Sequence, residues 1–105
     1  MTEPTTIADT VAGIARAVPG VAGLHPGMFG EVATYLPGRR VTGVRVHDDQ
    51  IDVHISVSGE TGIRQVAAAV RSAVAAAVPG HRVDVTVEDL VPDSTTDPHI
   101  TRRTS

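Results

Sequence analysis

Cysteine and tryptophan are absent from the 105 residues, and phenylalanine and tyrosine each occur once. The lack of cysteine excludes disulfide bonds, thiolate catalysis and cysteine-ligated zinc. The scarcity of aromatic rings leaves little surface for stacking against bases or sugars. We therefore expect a core built from small aliphatic side chains, and no bound cofactor is predicted.

Lysine is absent as well, so all nine basic residues are arginine, and with twelve acidic residues the formal net charge is -3. Without lysine no Schiff base can form, and no Gly-x-Ser-x-Gly sequence marks a nucleophilic serine. The net negative charge disfavours the broad basic surface that binds a nucleic-acid backbone. The sequence thus predicts a protein that is not an enzyme, with no catalytic residues and no nucleic-acid partner.

Long apolar runs are missing too. The longest purely apolar segment is residues 73–78, far short of the roughly 20 residues that span a bilayer. The first six residues also lack the basic and apolar regions of a secretory signal. We expect a cytoplasmic protein that does not insert into a membrane, with one domain over residues 1–90 and a flexible polar tail over residues 91–105.

Two segments carry apolar residues at helical spacing. The first starts at residues 6–9, Thr-Ile-Ala-Asp, whose hydroxyl and carboxylate suit a helix start, and it stops at the Pro-Gly pair 19–20. The second covers residues 62–78 and stops at another Pro-Gly pair. The expected buried stripes are Ile7, Val11, Ile14, Ala15 and Val18 in the first helix, and Ile63, Val66, Ala67, Val70, Val74, Ala77 and Val78 in the second.

Alternating apolar and polar residues predict strands over residues 40–47, 51–58 and 82–90, and residues 21–24 are a further short candidate. The first two long strands are expected to form a hairpin. These elements predict an α+β domain of order α-β-β-α-β. Its two helices pack on one face of a small mixed sheet of three to four strands.

The hairpin has an apolar face and a polar face. With a tip at Asp49 and Gln50, His47 lies opposite Asp52, and valines face aliphatic residues throughout. The predicted apolar face is Val44, Val46, Val53, Ile55 and Val57, and the polar face is Arg45, His47, Asp52, His54 and Ser56.

On the polar face, His47, Asp52 and His54 form a candidate site for a metal ion or a small ligand. The alternative is a solvated sheet face on which the basic groups offset nearby carboxylates. We favour this alternative, because cross-strand charge pairs commonly stabilise sheets, and we assign no metal ligands.

Residues 25–38 are rich in proline and glycine and predict a loop, with a turn of helix around residues 31–35. This segment contains Met28, Phe29 and Tyr35. In one interpretation, which we favour, these side chains plug the open end of the sheet. In the other they form a partner-binding surface, since such residues are enriched at interface cores.

Three Gly-x-x-Gly sequences begin at Gly20, Gly27 and Gly59. In KH domains such a loop clamps a nucleic-acid backbone, so KH-like RNA binding is a further alternative. The residues around these sequences oppose it: one encloses Glu60, and the others have no adjacent basic residue. Arginine doublets occur at residues 39–40 and 102–103, but two charges contribute only about 2 kcal/mol at an anionic membrane.

Several motifs resemble the alkaline shock protein twenty-three family, the envelope stress response proteins of Gram-positive bacteria. They are Pro-Gly-Val-Ala-Gly-Leu at residues 19–24, Thr-Gly-Val-Arg-Val at 42–46, and Gly-Ile at 62–63 followed by three valines and the strand at 83–90. The resemblance implies a non-enzymatic adaptor that acts by protein-protein contacts in the cytoplasm. Its partner would be a second copy or a membrane-anchored envelope protein, which would hold it near the membrane. No residue roles are carried over.

Overall fold

The computed structural model describes residues 6–59 and 62–91. Within them the chain forms two helices and six strands, which confirms the predicted α+β class. The elements are α1 (Ile7–Ala17), β1 (Val21–Leu24), β2 (Ala33–Leu36), β3 (Arg39–Thr42), β4 (Val44–Val46), β5 (Gln50–Ser58), α2 (Ile63–Ala77) and β6 (Arg82–Val91).

The main sheet has four strands centred on β5. β6 pairs with β5 in parallel along its whole length, while β4 and β1 pair antiparallel with residues 51–53 and 55–57 of β5. Because a strand has only two edges, β1 and β4 lie end to end on the edge opposite β6. β2 and β3 form a separate two-stranded hairpin.

Helix α1 starts as the sequence predicts. The Thr6 hydroxyl accepts a hydrogen bond from the Asp9 backbone N–H, and the Asp9 carboxylate accepts one from the Thr6 backbone N–H. The same carboxylate receives the Arg39 guanidinium from the start of β3. The first turn of α1 is therefore joined to the β2–β3 hairpin.

The core is aliphatic, as the composition requires. The four inward residues of β5, Ile51, Val53, Ile55 and Val57, are all fully buried. Buried residues of the two helices pack against them: Ala8, Val11, Ala12 and Ala15 of α1, Val66, Val70 and Val74 of α2, and Val78, the C-cap of α2. The stripe predicted for α2 is correct in its valines, but Ile63 is 41% exposed and Ala77 is exposed too. In the stripe predicted for α1, Ile7 is exposed.

The predicted strand over residues 40–47 is interrupted at Gly43, which separates β3 from β4. Gly43 has a φ of +83°, in the region that favours glycine. Its N–H donates to the Val32 carbonyl, and its own carbonyl accepts from the His54 N–H. This break turns β3 away from the main sheet to pair with β2.

The predicted hairpin register is wrong by two residues. Val44 faces Val53 and Arg45 faces Asp52, because the His47 N–H bonds to the Gln50 carbonyl and the turn is centred on Asp48 and Asp49. A shift of two leaves every side chain on the face that alternation assigned to it. The predicted apolar and polar faces are thus retained.

The helical turn predicted around residues 31–35 is also wrong. Residues 33–36 form β2, which turns at the Pro37-Gly38 pair into β3. Gly38 has a φ of +76°, which suits the third position of a type II turn. Pairing with β3 supplies more backbone hydrogen bonds than one helical turn could.

The last strand runs one residue beyond the predicted end at Leu90. Its partner, which the sequence left open, is the second strand of the hairpin. The predicted tail beyond it, including the arginine doublet at 102–103, lies outside the described residues.

Candidate functional site

The polar face of the main sheet carries two histidine-carboxylate pairs. The His47 Nε2 lies 3.1 Å from the Asp52 Oδ2, and the His54 Nδ1 lies 2.5 Å from the Glu88 Oε2. The first pair is the more exposed, and both members of the second are less than one-fifth exposed. The predicted trio of His47, Asp52 and His54 is therefore divided between two separate pairs.

Glu88 reaches His54 because of an irregularity in β6. The pairing with β5 passes from Ile55 opposite Val87 to Ser56 opposite Asp89, so Glu88 is the extra residue of a bulge. A bulge re-aims a side chain relative to the regular pleat. Here the carboxylate is directed onto the imidazole of the neighbouring strand.

Both carboxylate oxygens of Asp52 have a hydrogen-bond partner. Gln50 donates to Oδ1 at 2.7 Å, while His47 lies against Oδ2. Burial raises the pKa of Asp52, but these hydrogen bonds outweigh it, so the pKa is lowered overall. Gln50 also donates to Asp84 and accepts from Arg82, which links β5 to β6 through polar side chains.

The separation into two pairs concerns the candidate metal site predicted at His47, Asp52 and His54. Among residues 6–59 and 62–91, no three histidine, cysteine, aspartate or glutamate side chains converge as a metal site. His47 and Asp52 form one hydrogen-bonded pair on the partly solvated face. His54 and Glu88 form a pair of their own.

The loop between β1 and β2 is held by its own hydrogen bonds. The Gly27 N–H donates to the His25 Nδ1 at 2.9 Å, and the Val32 N–H donates to the Pro26 carbonyl at 2.8 Å. The Phe29 N–H donates to the Glu31 carboxylate at 3.0 Å. Backbone hydrogen bonds, the first from Glu31 itself and the second from Phe29, keep the pKa of that carboxyl below its usual range.

Met28 and Phe29 project from the tip of this loop. Met28 is 80% exposed and Phe29 is 90% exposed. Tyr35, on β2 opposite Arg40, is 68% exposed. The interpretation in which these three side chains plug the end of the sheet is wrong, because each is largely in solvent.

The second Gly-x-x-Gly sequence, residues 27–30, is this same loop. The Gly30 N–H donates to the Gly27 carbonyl at 3.2 Å, so the two glycines serve a turn, as predicted. The third Gly-x-x-Gly sequence is not described in full, because Glu60 and Thr61 lie outside the described residues. In the part of the chain with described structure, no helix has both the length and the apolar character needed to cross a membrane.

No family model and no curated protein matches this chain. Solved structures do match it. A structure of a MamM variant aligns with a TM-score of 0.51 and 19% identity, covering 87% of this chain and 86% of that one. A MamM CTD aligns with a TM-score of 0.52 and 22% identity, and the alignment covers 79% of this chain and 94% of that one. The cadmium form of a MamM CTD variant aligns with a TM-score of 0.53 and 24% identity, and the alignment covers 79% of this chain and 91% of that one.

At these identities the likeness shows a shared fold and nothing further. The fold is that of a compact α+β unit that accounts for most of each MamM CTD chain. None of the three structures carries the name of the alkaline shock family, and membership of that family stays a prediction.

Sequence reasoning missed two residues of this surface, Glu88 and Glu31. Glu88 lies within the strand predicted over residues 82–90, but its contact with His54 depends on the parallel pairing and on the bulge. Glu31 was assigned to an unstructured or helical segment. A carboxylate two residues after Phe29 in a glycine-rich turn was the available signal, since such side chains often accept backbone N–H groups.

Proposed function

We propose that this chain is a non-enzymatic protein-interaction module that associates through the exposed side chains of Met28, Phe29 and Tyr35. One observation carries the proposal: the only phenylalanine and the only tyrosine of the chain lie in solvent, while the core is aliphatic. Burying a phenylalanine side chain stabilises a protein by about 1.5–3 kcal/mol. This fold forgoes that gain at Phe29.

The loop presents Met28 and Phe29 in an ordered form. Four hydrogen bonds, two to side chains and two between backbone groups, fix the segment from His25 to Val32. A partner that binds an ordered tip has less conformational entropy to remove than one that must order a loose loop. Rigid aromatic anchors of this kind are the usual hot spots of protein interfaces.

The alkaline shock resemblance extends the proposal to the partner and its place. It favours a second copy of the chain or a membrane-anchored envelope protein, met from the cytoplasm. This extension is supported by the resemblance alone. Self-association is the form that can be tested directly on the purified chain.

We expect the mass of the full chain, measured by light scattering from about 10 µM to about 1 mM, to rise with concentration. Phe29→Ser should abolish the rise, because it removes the most exposed apolar side chain. Its melting temperature should stay close to that of the parent, since Phe29 packs against little of its own fold.

Ile7→Ser is the matched control, because Ile7 is an exposed apolar residue on α1, 42% exposed and outside the loop. It should associate like the parent. A constant monomer mass up to about 1 mM would contradict self-association. A large loss of thermal stability in Phe29→Ser would contradict the interaction role itself.

A second candidate function is binding of a divalent transition-metal ion by His54. Because a carboxylate accepts hydrogen bonds, a neutral His54 that pairs with Glu88 carries its proton on Nδ1 and keeps a lone pair on Nε2. Metal-binding histidines are commonly oriented by a carboxylate in this way. One structure of the same fold is a cadmium form, which adds support.

We expect cadmium to shift the ring NMR signals of His54 with a Kd above about 100 µM, since the described residues supply no cluster of three ligands. His54→Gln should abolish the binding. His47→Gln should leave it within about twofold, because the His47 Nε2 is already held by Asp52. No shift of the His54 ring at about 1 mM cadmium would contradict this function.

A further inference from the structure

A solvent-open cavity of about 410 Å3 lies between α1 and the β2–β3 hairpin. Three arginines border it: Arg16 near the end of α1, and Arg39 and Arg40 at the start of β3. Ala12, Leu24 and Val41 add apolar lining. Its volume is within the range of about 300–1,000 Å3 that small-ligand sites occupy.

The helix face explains how these groups come together. Asp9, Ala12 and Arg16 follow one another at spacings of three and four along α1, so they lie on one side of the helix. That side meets β3 through the ion pair between Asp9 and Arg39. The alanine between the two charged residues leaves the space that forms the cavity.

Arg39 and Asp9 form a two-pronged ion pair. The Arg39 Nη1 lies 2.7 Å from the Asp9 Oδ1, and the Arg39 Nη2 lies 2.9 Å from the Asp9 Oδ2. Hydrogen bonds from Arg39 and then from Thr6 hold the pKa of Asp9 far below its usual range. Asp9 therefore stays ionised at neutral pH and offsets one of the three positive charges.

Arg16 and Arg40 are different. Both are exposed, and neither guanidinium group has a hydrogen bond or an ion pair with any residue in the ranges 6–59 and 62–91. In the described part of the chain, two guanidinium groups thus border the cavity without an ion-pair partner. This local excess occurs in a chain whose formal net charge is -3, which is why the overall composition did not predict it.

We propose that this cavity, which we call the arginine cavity, binds the phosphate monoester group of a ligand, with Arg16 and Arg40 contacting its oxygens. A phosphate monoester carries a charge of about -1.5 to -2 at pH 7, which two guanidinium groups match, whereas a single carboxylate would leave one of them unmatched. Guanidinium groups also suit phosphate oxygens because they donate two parallel hydrogen bonds.

The same chemistry is available from two sources, a soluble phosphate monoester and the headgroup of phosphatidic acid. The first probe is glycerol 3-phosphate, titrated into the full chain and followed by NMR, with glycerol as the blank. The second is a set of phosphatidylcholine vesicles with and without phosphatidic acid, assayed by co-sedimentation. Binding to the soluble probe alone identifies a small-molecule site, and binding to the vesicles alone identifies a lipid headgroup site.

Arg16→Gln and Arg40→Gln should each weaken binding about tenfold or more, since hydrogen bonds between charged groups are strong. Arg64→Gln and Arg71→Gln are the matched controls, because both residues are exposed on α2 and their loss changes the net charge equally. These should stay within about twofold of the parent. Phe29→Ser should also bind normally, which separates this proposal from the proposed interaction role.

Two results would overturn the proposal. One is the absence of binding to both probes up to about 10 mM phosphate monoester. The other is an equal loss of binding in all four arginine variants, which would show attraction by diffuse charge and no site at the arginine cavity.

Discussion

Gly43→Ala is expected to lower the free energy of unfolding by about 3 kcal/mol, because alanine must adopt a strained backbone and its Cβ has no space. The φ of Gly43 is +83°. A Cβ at this position would lie 2.8 Å from the Leu24 Cβ and 3.0 Å from the His54 carbonyl oxygen. Both neighbours belong to strands of the main sheet, so neither can move away cheaply.

Gly13→Ala is the matched control, because the same methyl group meets no atom within 4 Å there. Gly13 lies inside α1, where alanine is favoured over glycine by about 0.5–1 kcal/mol, so this variant should be stabilised. Urea denaturation monitored by circular dichroism measures both. Equal effects of the two substitutions would show that the break at Gly43 does not depend on its backbone conformation.

Ile55→Ala is expected to lower the free energy of unfolding by about 2–5 kcal/mol, the cost of a buried cavity in an aliphatic core. Ile55 is fully buried on the central strand and lies between Leu24 of β1 and Val87 of β6. Domains of this size are stable by only about 5–15 kcal/mol. The midpoint of urea denaturation should therefore fall markedly.

The control for Ile55 is Ile63→Ala, which deletes the same atoms from a residue 41% exposed in the first turn of α2. Its effect should be below about 0.5 kcal/mol. If both variants lose similar stability, then the main sheet is not the centre of the core. Retained stability in Ile55→Ala alone would lead to the same conclusion.

Much of the local structure could be predicted because it depends on short-range physics. The capping residues of α1, the valine stripe of α2 and the two faces of β5 follow from periodicity and from side chains within four positions. The residues were assigned to the correct faces even though the register was wrong, because a shift of two residues keeps each side chain on the same face of the sheet. The turn chosen at Asp49 and Gln50 failed because Asp48 and Asp49 fit a two-residue turn equally well.

The candidate sites could be predicted less well. His54 was correctly placed on the polar face, but its partner Glu88 is 34 residues away along the chain. Likewise, Arg39 reaches Asp9 across 30 residues. To predict such pairs, one must know the order of the strands in the sheet and where α1 packs. Neither can be read from the spacing of apolar residues in the sequence.

The aliphatic core, the limits of the helices and the side of the sheet on which each strand residue lies could be predicted from spacing and composition, because they depend on residues close together in the chain. The pairing of the charges and the exposure of Phe29 could not, because both depend on which side chains pack around a residue in the folded protein. At Phe29, a loop closed by its own hydrogen bonds directs the ring into solvent, whereas its apolar chemistry alone predicted burial.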